Sequence, residues 1–310
     1  MNIFSNLFPF FRKTFPHGNS TDKQKFSTFN EFMNKSIEQS GLRSSTILNH
    51  KQTLHLLSEF NHNIHFKELT SGFLSDFEKF MVDRMYHRNT IAKHFRQLKR
   101  YINLAIDNNY LSPTKYPFRK FKIKTIDTKR QFLTPEELAA FEQLSFPEKP
   151  NLQLKLDLFL FCCYTGLRFS DVIRISEKDF QFSGKTVWLE LSTLKTTSNI
   201  KLPLSLLFQG KALKIYNRYK HNKPTIFQVR AAEISNINKF LLSLCKKGRL
   251  NKRISFHSSR HTFATLLLYQ GVHLSSVQKL LGHKSIRTTE IYASVIDQTI
   301  INDLKRANKK

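Results

Sequence analysis

The stretch TIAKHFRQLKRYINLAI, residues 90–106, repeats apolar side chains at the spacing of an α-helix. Ile91, Phe95, Leu98, Ile102 and Ala105 fall on one stripe, while Lys93, Arg96 and Arg100 line another face. Such a stripe must bury against partner helices, and the preceding residues supply them. Phe26, Phe29, Met33 and Ile37 mark one amphipathic segment. Ile47, Leu54 and Leu57 mark a second, with Ser44 or Ser45 as its N-cap, and Phe73, Phe77, Phe80 and Met81 mark a third. Strand-like alternation is scarce here. A four-helix unit is therefore expected over residues 26–111, preceded by an N-terminal extension at 1–25.

The next segment, SPTKYPFRKFKIKTIDTKRQF at 112–132, opens with two prolines that stop the fourth helix. It carries Lys115, Arg119, Lys120, Lys122, Lys124, Lys129 and Arg130 against the single Asp127. It reads as a basic strap between two folded units, able to track a phosphate backbone. Lys93, Arg96, Arg100, Arg119, Lys120, Lys122 and Lys124 are the candidate DNA-contacting residues.

The whole chain shares this bias: 50 Lys and Arg against 23 Asp and Glu give a formal net charge of +27. A field of that sign calls for a polyanion, and nucleic acid is favoured over membrane. The apolar opening MNIFSNLFPFF is short, broken by Pro9, and followed rather than preceded by Arg12 and Lys13, the wrong order for a signal peptide. No run reaches the roughly 18 apolar residues of a spanning helix. Cys162, Cys163 and Cys245 form no disulfide framework and no zinc spacing, so a cytoplasmic, DNA-associated protein without a metal or other cofactor is expected.

A second unit is expected over 133–310. LTPEELAAFEQ has Thr134 as N-cap, with Pro135 and Glu137 in the first turn. LKLDLFLFCCYTG continues as an apolar helix, and TVWLELSTLKTTSNIKLPLS reads as two strands around a polar turn at Lys195 to Asn199. Helical patterning resumes near residue 205. The fold class is mainly α: a helical unit followed by an α+β unit with a small antiparallel sheet.

Three segments of this second unit hold chemistry-bearing residues: TGLRFSD with Arg168, HSSRHTFAT with His257 and Arg260, and LGHKSIRTTEIYA with His283 and Tyr292. A phosphodiester repels an attacking anion until fixed donors neutralise its oxygens. Two arginines suit that task, since their planar forks match phosphate and do not titrate. A tyrosine, with an ordinary pKa of about 10, needs nearby positive charge or a base to act as a nucleophile. Ser170 is expected to cap the helix after Arg168, Gly271 to end the helix after HTFATLLLYQ, and Gly282 to allow a tight turn before His283.

Together these segments resemble the tyrosine recombinase (phage integrase) family, whose pattern runs Arg, Lys in a β-turn, His-x-x-Arg, His or Trp, then Tyr. Arg168, Lys195, His257, Arg260, His283 and Tyr292 fill those places in order. Lys185 and Lys201 compete with Lys195 for the lysine. The resemblance covers 133–310, and the first unit is similar to the family's core-binding domain. Asp171 stands where glutamate is frequent and Ser259 where leucine is frequent, and neither is expected to touch the reaction.

The resemblance implies a site-specific recombinase of double-stranded DNA. Tyr292 would form a 3′-phosphotyrosine link, Arg168 and Arg260 would hold the phosphate, and His257 would orient it or move protons. His283 would donate a hydrogen bond, and Lys195 would protonate the leaving 5′ oxygen. Bond energy kept in the covalent link makes ATP and metal unnecessary. Paired core sites would be joined by a homotetramer, assembled through a tail helix with Val295, Ile296, Ile300, Ile301 and Leu304. Residues 1–25 are too short for an additional arm-binding domain, which favours inversion or resolution over arm-dependent integration. The alternatives are DNA relaxation of the type IB topoisomerase kind and a DNA-binding regulator without catalysis.

Overall fold

A computed structural model describes residues 26–128, 130–195, 197–220 and 223–292. The N-terminal extension and the expected tail helix, with its part in a tetramer, lie outside the described residues. The chain divides into two compact units, Met1–Thr128 and Lys129–Lys310. Among the described residues, no helix is long and apolar enough to cross a membrane.

Four helices build the first unit: α1 (Phe29–Glu38), α2 (Ser44–Phe60), α3 (Ser71–Asp83) and α4 (Arg88–Asp107). Thr28 and Thr70 cap α1 and α3 by accepting from the N–H groups of Glu31 and Phe73. Neither serine caps α2; Arg43 occupies that position without a side-chain bond, and Ser44 is already helical. The predicted stripe of α4 is the buried one, with Ile91, Phe95, Leu98, Ile102 and Ala105 all in the core. A polar seam crosses this core between α2 and α4. His50 Nδ1 lies 2.6 Å from Tyr101 Oη, and Thr53 Oγ1 lies 2.7 Å from His94 Nδ1. Burial, then the neighbouring Lys93, holds His94 down to about 4, so it is neutral at physiological pH.

Much of the expected strap belongs to this first unit. Phe118 is buried in its core, Phe121 and Ile123 pack against that core, and Phe95 and Phe121 have ring centroids 4.6 Å apart. Asn89 pins the far end, donating to Ile126 O at 2.8 Å and accepting from Ile126 N at 3.0 Å. The physical reason is the alternation in Phe121-Lys122-Ile123-Lys124, which lays apolar side chains inward and lysines outward.

The second unit begins with α5 (Pro135–Glu142), whose Thr134–Glu137 capping box closes in both directions. The apolar helix α6 (Pro150–Thr165) follows, then the short α7 (Phe169–Val172). Ser170 lies inside α7 and does not cap it; Arg168 is the N-cap residue, without a side-chain bond. The sheet has three antiparallel strands where two were expected: β1 (Phe180–Ser183), β2 (Thr186–Ser192) and β3 (Asn199–Pro203), in that order. Leu189 pairs with Leu202 and Leu191 with Ile200. Val187, Leu189, Ile200 and Leu202 are buried, which leaves β1 as the less buried edge.

The remaining helices are α8 (Lys211–Tyr219), α9 (Ile234–Lys247), α10 (Ser258–Tyr269), α11 (Leu274–Leu281) and α12 (Arg287–Glu290). Helix α10 is buried along almost its whole length and packs on α6. Two of its small polar residues bond locally, which eases their burial: Thr262 Oγ1 donates to Ser258 O at 2.9 Å, and Ser259 Oγ to Phe256 O at 2.7 Å. Gly271, with φ of 78°, follows α10 as expected. All three cysteines are free and buried.

Candidate active site

Two glycines in left-handed conformations bring the segments of the site together. Gly166 ends α6 with φ of 66°, and a Cβ there would stand 2.5 Å from Phe263 on α10. Gly282 ends α11 with φ of 63°, and a Cβ there would stand 3.0 Å from Ile200 on β3. Only a residue without Cβ lets the backbone approach this closely. The first glycine sets Arg168 beside α10; the second sets His283 beside the sheet.

Arg260 locks these approaches. Its Nη1 donates to Gly166 O and its Nη2 to Leu281 O, each at 2.6 Å. The side chain is buried, and desolvation, then repulsion from Arg168, lowers its pKa to about 10, leaving it charged at neutral pH. Arg168 is mostly covered, and its Nη1 lies 3.9 Å from Asp171 Oδ2, an ion pair too long to satisfy the donor with a hydrogen bond. An orphaned guanidinium donor is costly in a protein interior and suits an anionic ligand.

Asp171 is more involved than its sequence position suggested. Fully buried, it accepts from Leu194 N at 3.0 Å and lies 3.9 Å from Arg168 and 3.7 Å from Arg174. One carboxylate thus connects the arginine segment to the β2–β3 turn that carries exposed Lys195. The competing lysines sit elsewhere. Lys185 lies at the β1–β2 turn, at the opposite end of β2, and Lys201 Nζ is paired with Glu190 at 2.5 Å.

His257 stands at the N-terminus of α10. Desolvation lowers its pKa, followed by Arg260, Arg168, Arg130 and Lys195. His283 Nδ1 is engaged by Thr289 Oγ1 at 2.9 Å, which leaves Nε2 as the other ring nitrogen. Burial, then Arg260 and Arg168, holds His283 at about 4. Tyr292 is buried, with its hydroxyl 2.7 Å from His261 Nδ1. Burial raises its pKa, and Arg260, Arg130 and Arg168 oppose that rise. The fields of Arg168 and Arg260 thus reach His257, His283 and Tyr292, and that of the exposed Lys195 reaches His257, so the six sequence-predicted residues fall in one cationic region of the second unit.

Two members of this region were missed from sequence. His261 lies one helical turn after His257 on α10, and that spacing of four was the available signal. Arg130 counted only as one more basic charge, yet its field reaches His257, His261, His283 and Tyr292. The hydrogen bond from Leu133 N to Thr262 Oγ1, 2.9 Å, holds its segment against α10. The seven candidate DNA-contacting residues all belong to the first unit. Arg96, Arg119, Lys120, Lys122 and Lys124 are exposed, while Lys93 and Arg100 are half-buried on α4.

A helical unit followed by an α+β unit with clustered arginines, histidines and a buried tyrosine defines a class of DNA strand-transfer enzymes, and comparison with known proteins agrees. The phage integrase family model matches residues 131–299, and the phage integrase SAM-like domain matches 28–123. A tyrosine recombinase of Thermosipho africanus is 27% identical over 224 residues, covering 70% of this chain and 75% of the relative. The fold is similar to that of the Tn1549 transposon integrase, solved with a circular intermediate DNA: TM-score 0.71, 20% identity, covering 86% of this chain and 95% of the other. It is also similar to lambda integrase, solved as a dimer on a COC′ core site: TM-score 0.71, 17% identity, covering 85% and 93%. The chain belongs to the phage integrase family. It is an enzyme of the tyrosine recombinase type.

Proposed function

We propose that this enzyme exchanges strands between paired core sites in double-stranded DNA through a 3′-phosphotyrosine intermediate on Tyr292. Arg168 and Arg260 hold the non-bridging oxygens of the scissile phosphate, and His283 adds a hydrogen bond to one of them. Tyr292 Oη attacks phosphorus, the bond to the 5′ oxygen breaks, and Lys195 protonates the leaving oxygen. His257 orients the phosphate beside the arginines. The 5′-hydroxyl of a partner strand then reverses the step. The first unit grips the duplex through Lys93, Arg96, Arg100, Arg119, Lys120, Lys122 and Lys124.

The observation that carries this reading is a buried tyrosine hydroxyl within the field of two covered guanidinium groups. That is the arrangement a phosphoryl transfer with a protein nucleophile requires. Pairing of core sites is supported by analogy with lambda integrase, which was solved as a tetramer bound to a Holliday junction. The test begins with a duplex recovered from a randomised pool by binding to the full-length protein, rebuilt with nicks that trap cleavage. Tyr292→Phe is expected to bind this duplex and form no covalent adduct. An adduct with that variant would overturn the assignment.

A further inference from the structure

The Tyr292 hydroxyl has a partner outside the six-residue pattern. His261 Nδ1 lies 2.7 Å from Tyr292 Oη, the ring centroids are 5.5 Å apart, and both side chains are buried. A hydrogen bond of this length leaves the phenolic proton one short transfer from a ring nitrogen. We propose that His261 is the catalytic acceptor of the Tyr292 proton, taking it at Nδ1 as the tyrosine attacks DNA and returning it when the tyrosine departs. The inference rests on the reading of Tyr292 as the nucleophile.

The step balances. As Tyr292 Oη bonds to phosphorus, its O–H bond breaks and the proton passes to His261 Nδ1. The bond between phosphorus and the 5′ oxygen breaks, and that oxygen takes a different proton, from Lys195. In the return step the incoming 5′-hydroxyl gives its proton back to Lys195 as its oxygen bonds to phosphorus. The phosphotyrosyl bond breaks, and the phenolic oxygen recovers its proton from Nδ1. No metal, oxidant or third reactant enters.

The surroundings of His261 suit this role. Burial depresses its pKa first, followed by His257, Arg130, Arg260 and His283, to about 3, so the imidazole is neutral, and Nδ1 accepts from the phenol in the tautomer that carries the ring proton on Nε2. Of these groups Arg260, on α10, and Arg130, in the segment before α5, are charged at neutral pH, so positive charge faces His261 from two elements, with the neutral rings of His257 and His283 beside them. A phosphate anion drawn into the pocket offsets that charge and raises the proton affinity of the imidazole as the proton must move. His257 packs edge-on against His261, with ring centroids 4.8 Å apart.

The test uses full-length protein and the nicked duplex, with cleavage followed from pH 6.5 to 9.5. His261→Asn keeps a polar amide near the Nδ1 position but takes up no proton. It is expected to bind DNA like the parent, to cleave about 10²-fold more slowly at pH 7, and to recover as rising pH ionises the phenol. His261→Gln is a second variant, and both rates are read per molecule of bound duplex. A duplex with sulfur in place of the bridging 5′ oxygen, whose thiolate leaves without protonation, should restore Lys195→Ala and leave His261→Asn slow. Parent-like cleavage by the histidine variants at pH 7, an equal loss at every pH, or rescue by the sulfur duplex would overturn the proposal. Tyr292→Phe runs in parallel. An adduct there defeats the nucleophile reading, whereas an inert Tyr292→Phe beside fully active histidine variants defeats only the role of His261.

Discussion

Asp171 Oδ1 accepts a hydrogen bond from the backbone N–H of Leu194 at 3.0 Å, tying the residue that faces Arg168 to the one that precedes Lys195. Removal of this carboxylate takes the acceptor from the Leu194 N–H and leaves the mostly covered Arg168, and Arg174, without their buried counter-charge. Asp171→Ala is therefore expected to cost about 2 kcal/mol, read as a lowered melting midpoint, and to slow cleavage as the turn loosens. Asp171→Asn retains an acceptor oxygen and should lose less stability.

Gly166→Ala combines a left-handed backbone with a Cβ placed 2.5 Å from Phe263 and 2.9 Å from Leu281. Relief requires the packed side chains of Phe263 and Leu281, or the helices that carry them, to shift, which costs about 2 to 3 kcal/mol. It also displaces the carbonyl that accepts from Arg260. Thermal unfolding should register the first effect and adduct formation the second.

Arg260→Lys preserves charge and loses the fork that reaches Gly166 O and Leu281 O together. Cleavage should fall by about 10²-fold or more while DNA affinity stays close to that of the parent. A single-turnover assay at saturating protein separates the two quantities.

The His94 seam predicts a pH dependence. Its native pKa of about 4 lies below the ordinary 6.5, so between those values the unfolded chain binds a proton that the native state does not. Stability from this group is present above pH 6.5 and is lost as pH falls toward 4, by on the order of 3 kcal/mol. His94→Asn should flatten that dependence in melts taken across the window.

DNA affinity should fall steeply with salt, because each phosphate neutralised releases a counterion. Single alanine substitutions at Arg96, Lys120, Lys122 or Lys124 should each reduce the log–log salt slope by about 0.9. An unchanged slope removes that residue from the set of phosphate contacts.

The helical unit was legible because its stripes are long and regular, and the α5 start was legible because its capping box is local in sequence. Four features were harder to read, each for a physical reason. Strand β1 buries only Phe180, so four residues gave no alternation to detect. Phe118 and Phe121 were masked by Arg119 and Lys120 between them, so a packed segment read as a strap. Ser170 looked like a cap, but Arg168 already occupies that position. The chemistry-bearing segments stood out by residue type, but His261 did not, because its contact with Tyr292 joins residues 31 apart and depends on how α10 meets the end of α12.

The most direct measurement is tandem mass spectrometry of the peptide left on DNA after the trapped adduct is digested with protease and nuclease. The expected result is a nucleotide joined through its 3′ phosphate to Tyr292. A nucleotide attached to any other residue, or joined to Tyr292 through a 5′ phosphate, would contradict it.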